Sequence, residues 1–335
     1  MKGSLLKLIA INTGIFLLLV TFIELSARFF IFLKIGNSTA GLQERTHHLR
    51  YQPFVMYGPN WDKVVKEFQA NTSQNNCIVA LIGGSTAESF PVKELENELT
   101  KAAGTSVRIF NGAKGGYNSR QQAIVANLWL PSIKPKLIIS LDGANDILHR
   151  PRQSRGGTFY LSDTYNEFLS NPLTAPLNSL IINSQALYGL SRLMSRESFR
   201  DKPEYSDLVT IYMSAQKSID ATAKGIGSKR LYFLQPFHSF KQRKTGEELA
   251  FTHYDYRKKY GQKYFNIISE KLEDLSSQTG TAYIDGRNSY DGTDKHVFTD
   301  DVHLTPEGYR IIAKQVGSIA KSNNLLEECA KNSNR

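Results

Sequence analysis

Apolar runs and amphipathic stretches alternate along most of this chain. Five short runs rich in apolar and β-branched residues predict strands at 77–83, 107–111, 136–141, 230–235 and 281–285. Between and after them, apolar positions recur at helical spacing over 92–103, 121–129, 205–225, 260–278 and 306–323. Strands alternating with helices imply right-handed crossovers and a parallel sheet covered on both faces. The pattern therefore predicts an α/β fold of helix, sheet and helix layers.

The amino terminus follows a different rule. From Leu8 to Ile23 no residue is charged, and positions 5–33 are mostly apolar. A bilayer-crossing helix needs about 20 apolar residues, and Lys7 and Glu24 stand where long side chains can reach the interfaces. Glu24 and Arg28, four apart, can pair on one helix face. A cleavable signal peptide is the rival reading, but Leu25-Ser26-Ala27 is a poor cleavage site. The sequence thus predicts a transmembrane anchor over 5–33. Lys2 and Lys7 on its leading side favour an inside amino terminus and an extracytoplasmic remainder, periplasmic or extracellular.

Residues 34–75 are polar and irregular in pattern and read as a juxtamembrane connection that partly packs on the domain. A main domain is expected over 76–325 and a short tail over 326–335. The stretch from His149 to Pro203 is too long for a simple link. It reads as a loop followed by a helix, either a lid or substrate wall or a packed insertion.

At 335 residues, with 41% hydrophobic and 21% charged content, the chain can bury a full core. The net charge of +10 suits anionic surfaces such as phospholipid headgroups or acidic wall polymers. No basic, aromatic-studded nucleic-acid motif accompanies it, so nucleic acid is not an expected partner. The histidines show no metal-ligand spacing with cysteines or carboxylates, and no metal or cofactor is expected.

The candidate chemistry lies in four turns. Gly83-Gly84-Ser85-Thr86 puts a hydroxyl at the carboxyl end of the first predicted strand, where parallel sheets gather ligands. Ser85 can instead cap a helix, with Glu88 of Ser-x-x-Glu reaching back to a backbone amide. Far downstream, Asp300-x-x-His303 precedes a helix start at Pro306. Residues three apart can meet, so Asp300 can orient the imidazole. Asp301 is the rival orienter. Asn111-Gly112-Ala113-Lys114-Gly115-Gly116 follows the second strand and Gly143-Ala144-Asn145-Asp146 the third. The Ser85 and Gly116 amides and the Asn145 side chain are candidate donors to one oxyanion.

In these four blocks the sequence resembles the SGNH, or GDSL-type, hydrolase family. The matching positions are Ser85, Gly116, Asn145 and His303, over about residues 77–323. Gly84 and Thr86 depart from the Gly-Asp-Ser-Leu pattern, and Gly115 is the alternative to Gly116. The resemblance implies a five-stranded parallel, flavodoxin-like sheet and a Ser85–His303–Asp300 triad working through an acyl-serine. It implies an esterase acting on an ester, such as an O-acetyl group, of a cell-envelope glycan or small molecule. An O-acyltransferase with the same triad and a non-catalytic envelope binding protein are the alternatives. Cys77 and Cys329 are the only cysteines, and in an exported protein two can pair. A last helix running back across the sheet would bring Cys329 near Cys77. Two free thiols are the other possibility.

Overall fold

The computed structural model describes residues 2–35, 51–73, 76–148, 205–251 and 255–332. The insertion expected over 149–203 lies outside the described residues. The chain divides into two compact units, one of residues 1–59 and 161–202, the other of 60–160 and 203–335.

In the first unit, helix α1 runs Lys2–Ile35, and strands β1, Tyr51–Gln52, and β2, Met56–Tyr57, pair antiparallel. Within α1, Leu6–Phe30 is long and apolar enough to cross a membrane, as a signal sequence also is, with a mean hydropathy of 2.2. Glu24 and Arg28 do pair, at 2.9 Å.

The second unit opens with α2, Trp61–Ala70. This helix corrects the reading of its segment as irregular. Trp61, Val64, Val65 and Phe68 keep helical spacing among charged neighbours, and Asn60 caps the first turn by accepting from the Lys63 amide. Burial of Trp61 beside Phe110 and Trp129 supplies the tertiary contact.

The remaining elements are β3 (Cys77–Gly83), α3 (Ser85–Glu88), α4 (Val92–Ala103), β4 (Val107–Asn111), α5 (Ser119–Ile133), β5 (Leu137–Asp142) and α6 (Ala144–Leu148). Then follow α7 (Tyr205–Gly225), β6 (Lys229–Leu234), α8 (Gly246–Leu249), α9 (Asp255–Thr279), β7 (Ala282–Asp285), α10 (Pro306–Ser322) and α11 (Glu327–Asn332). Helix α5 begins two residues before its predicted start, because Asn118 and Gln121 form a reciprocal capping box.

Strands β3–β7 form one five-stranded sheet, all parallel, in the order β4-β3-β5-β6-β7. This is the flavodoxin-like order, and its crevice lies at the carboxyl ends of β3 and β5. Alternate residues point to opposite faces. Val79, Leu81, Ile139, Leu141, Leu231 and Phe233 pack with Leu95 and Leu99 of α4 and Ile312 and Val316 of α10. Tyr232 and Leu234 face the other way, against Tyr212 of α7 and Phe265 and Ile268 of α9. Both faces are buried, which is why the strands read as continuous apolar runs.

The two cysteines are paired. Cys77 at the start of β3 and Cys329 in α11 form a disulfide with Cα atoms 5.4 Å apart.

Candidate active site

Ser85, Asn145 and the Gly115–Gly116 turn follow three adjacent strands: β3 in the middle, β5 on one side and β4 on the other. The sheet order alone therefore gathers three of the four sequence blocks at one edge.

Ser85 is the first residue of α3, and Gly84, not Ser85, holds the N-cap position. The Ser85 Oγ lies 2.7 Å from His303 Nε2, and His303 Nδ1 lies 2.6 Å from Asp300 Oδ2. This geometry corrects the capping reading of the serine. Glu88 does not reach back to the start of its helix: its carboxylate takes the Lys114 ammonium and the Gly115 N–H, the latter at 2.7 Å.

Asp300, not Asp301, meets the imidazole. Its other oxygen accepts the Val302 and His303 amides, both at 2.8 Å. Burial pushes the Asp300 carboxyl up, but hydrogen bonds from the His303 ring and these two amides outweigh it and hold it down at about 2. An ionised carboxylate only accepts, so Nδ1 carries the proton and Nε2 is left to accept from the Ser85 hydroxyl. The His303 and Asp300 side chains are 39% and 54% exposed, so the imidazole can be reached from solvent.

The loop that carries His303 is braced from below. Thr299 donates its amide to the His303 carbonyl at 2.9 Å, and Thr305 to that of Val297 at 3.0 Å. Beneath it lies a fully buried ion pair, Lys241–Glu248, at 2.5 Å. Glu248 also accepts the Val297 and Phe298 amides, at 2.9 and 3.1 Å. A carboxylate so paired fixes the loop backbone instead of standing as an uncompensated buried charge.

Thr86 bonds to three other segments. Its hydroxyl donates to the Val302 carbonyl at 3.1 Å and accepts from Gln235 Nε2 at 3.3 Å, while its carbonyl accepts from the Tyr309 hydroxyl at 3.0 Å. A leucine here could make neither hydroxyl contact.

The expected oxyanion donors are arranged as follows. The Ser85 amide, at the first position of its helix, has no partner four residues back within that helix. Gly115 spends its N–H on Glu88, whereas no described residue accepts from that of Gly116, held at φ 81°. Of the two glycines, Gly116 is therefore the one whose N–H no described residue takes. Asn145 Nδ2 donates one hydrogen to the Tyr117 carbonyl at 2.9 Å. The second hydrogen is claimed by no described residue. A Cβ on Gly84 would fall 2.2 Å from Asn145 Nδ2. The bare Cα of Gly84 thus lets the Asn145 amide stand this close.

Two buried carboxylates support Asn145. Asp146 accepts from the Ser119 amide and, at 2.5 Å, from its hydroxyl, tying the start of α6 to the start of α5. Asp142 accepts from the Tyr212 hydroxyl at 2.5 Å and from Gln216 at 3.0 Å, and Gln216 in turn takes a hydrogen from buried Arg230. Burial pushes the Asp142 carboxyl up to about 6, against the pull of Tyr212, Gln216 and Arg230. Burial, with the Asp142 charge added, pushes Asp146 up to about 7.

Sequence reasoning missed the pairing of Glu88 with Lys114 and the cross-links of Thr86. A lysine inside a glycine-rich turn was the available signal for the first. For the second there was none, because Thr86 and Val302 are 216 residues apart.

No family model and no curated protein matches this sequence. Among solved structures, the chain is similar to a GDSL-like lipase from Bacteroides thetaiotaomicron VPI-5482, at 15% identity over 78% of this chain and 98% of that one, with a TM-score of 0.45. It is also similar to a catalytic mutant of an acetylxylan esterase from Geobacillus stearothermophilus, at 11% identity over 72% and 93% of the two chains, with a TM-score of 0.44. A third is a lipase/acylhydrolase from Enterococcus faecalis, at 12% identity over 73% and 95%, with a TM-score of 0.41.

Proposed function

We propose that this protein is a serine esterase of the SGNH type, held at a membrane by α1, that removes acyl groups from a cell-envelope glycan or similar ester. Acetyl is the acyl group we favour. The reading is carried by one observation: the unbroken Ser85–His303–Asp300 chain, with links of 2.7 and 2.6 Å. A serine hydroxyl is a weak nucleophile until an oriented base takes its proton, and this arrangement supplies both base and orienter.

In the proposed cycle, Ser85 Oγ attacks the ester carbonyl carbon as His303 Nε2 takes its proton. The carbonyl electron pair moves onto oxygen, facing the Ser85 and Gly116 amides and the Asn145 side chain. Collapse breaks the bond to the alcohol, which leaves with the proton from His303. Water, activated by the same imidazole, then attacks the acyl-serine and releases the acid. Asp300 stays ionised throughout and stabilises the imidazolium. The cycle needs no cofactor.

The Cys77–Cys329 disulfide supports a folded unit outside the cytoplasm, where such bonds persist. Lys2 and Lys7 ahead of the apolar run agree with an inside amino terminus.

The test is covalent labelling of the detergent-solubilised full chain with a fluorophosphonate, followed by mapping of the modified residue. Labelling at Ser85, with p-nitrophenyl acetate turnover that Ser85→Ala abolishes, is the expected result. Turnover surviving in Ser85→Ala would sink the reading. Acylated glycan outpacing free acetate, when glycan acceptors are added, would reassign the acyl-serine to an O-acyltransferase.

A further inference from the structure

We propose that Glu88 and Lys114 form a positioning pair that decides which amide faces the oxyanion and keeps that position free of net negative charge. The inference rests on the serine-esterase reading given above.

Glu88 ends the short helix that Ser85 begins, one turn away. Its two carboxylate oxygens have different partners. Oε1 takes the Lys114 ammonium, and Oε2 takes the Gly115 N–H at 2.7 Å. Lys114 belongs to the same turn as Gly115, donates its own amide to the Gly83 carbonyl at 3.2 Å, and accepts from the Tyr117 amide at 3.0 Å. The glycine turn is thereby joined to the nucleophile helix through the Glu88 side chain and to the end of β3 through backbone. A Cβ built on Gly115 would lie 3.0 Å from Glu88 Oε2 and 3.7 Å from the Ser85 Cβ. The carboxylate and the nucleophile thus flank one glycine.

Two consequences follow from this placement. By occupying the Gly115 N–H, Glu88 fixes the turn so that the next amide, on Gly116 at φ 81°, is the one left to donate. The carboxylate also brings a negative charge close to where the tetrahedral intermediate develops its own. A bare carboxylate there would oppose the reaction. Lys114, with a side chain only 9% exposed, cancels that charge from the protein side. Neither residue needs to touch the substrate.

The experiment compares Glu88→Ala, Glu88→Gln, Lys114→Met and the double variant Glu88→Gln/Lys114→Met with the wild-type full chain. The readouts are kcat and KM for p-nitrophenyl acetate, with melting temperature as a check on folding. Glu88→Ala, which frees the Gly115 amide, is expected to lower kcat about 100-fold, the scale of losing one oxyanion donor. Glu88→Gln keeps an acceptor for that amide and is expected to recover most of the loss.

Lys114→Met, which bares the carboxylate, is expected to lower kcat about 30-fold with KM within about twofold. Adding Glu88→Gln to it removes the charge and is expected to restore at least about fivefold. A structural brace would not show that rescue. A double variant no faster than Lys114→Met, Glu88→Ala at wild-type kcat, or a rise in KM alone would overturn the inference while Ser85 still labels with fluorophosphonate. Failure of the wild type to label at Ser85 is a different outcome, which removes the esterase reading and this inference together.

Discussion

The Thr86 hydroxyl donates to the Val302 carbonyl, so the residue after Ser85 is bonded to the residue before His303. The 2.7 Å contact between Ser85 and His303 therefore has a parallel strut one residue away. Thr86→Val keeps the shape and removes the donor, leaving the Val302 carbonyl and the Gln235 amide unpaired in a buried place. It is expected to cost about 1–3 kcal/mol of stability and to lower kcat about tenfold. Thr86→Ser should stay near wild type. Melting curves and steady-state kinetics on both variants check this, and equal behaviour of the two would remove the strut from the account.

Asp300 and Asp301 are neighbours with different surroundings, and substitution should separate them. Asp300→Asn loses the acceptor that fixes the His303 tautomer and is expected to lower kcat about 10⁴-fold. Asp301→Asn should keep kcat within about tenfold. Because Asp300 is held at about 2, its protonation should contribute no activity loss until the pH falls toward that value. A pH–rate profile of the wild type between 4 and 8 should therefore show no step belonging to Asp300.

Gly84→Ala tests the room made for Asn145. The added methyl would sit 2.2 Å from Asn145 Nδ2, so the amide must move. kcat is expected to drop about 100-fold, comparable to Asn145→Ala, with a smaller change in KM. A Gly84→Ala protein as fast as wild type would show that the amide does not need this position.

The strand ends were legible because strands buried on both faces leave unbroken apolar runs. The first two strands, Cys77–Gly83 and Val107–Asn111, coincide with their predicted limits. The other three differ by a residue or so, where Lys136, Gln235 and Thr281 gave mixed signals. Asp300 was readable from its spacing to His303. Glu88 was misread because Ser-x-x-Glu satisfies a local capping rule, while its actual partner lies 26 residues away in another turn. Local patterns report local hydrogen bonds, and this clamp is tertiary. Helix α2 was hidden by its charged face, Asp62, Lys63, Lys66 and Glu67, although Trp61 and Val65 are buried.

The buried pair Asp142 and Asp146 makes stability depend on pH. Both carboxyls are raised, to about 6 and about 7, above their unfolded values. Between about pH 4 and 7 the folded state holds protons that the unfolded chain releases, so this contribution is full at the acid end and falls as pH rises. Urea midpoints of the full chain in detergent from pH 5 to 8 should decline more steeply for wild type than for Asp146→Asn. Equal slopes would clear Asp146 of the effect.

The bond between Cys77 and Cys329 spans 252 positions and encloses every strand of the large sheet. A protease that cuts this protein once, anywhere inside that ring, opens the chain without parting it. After a cut between Ser85 and Asp300, the carboxyl-terminal piece, with His303 and Asp300, stays shackled to the piece bearing Ser85 and the amino-terminal helix until a reductant arrives. Separating the carboxyl-terminal piece from α1 would thus demand two chemical events, a nick and a reduction, or one cut placed ahead of Cys77.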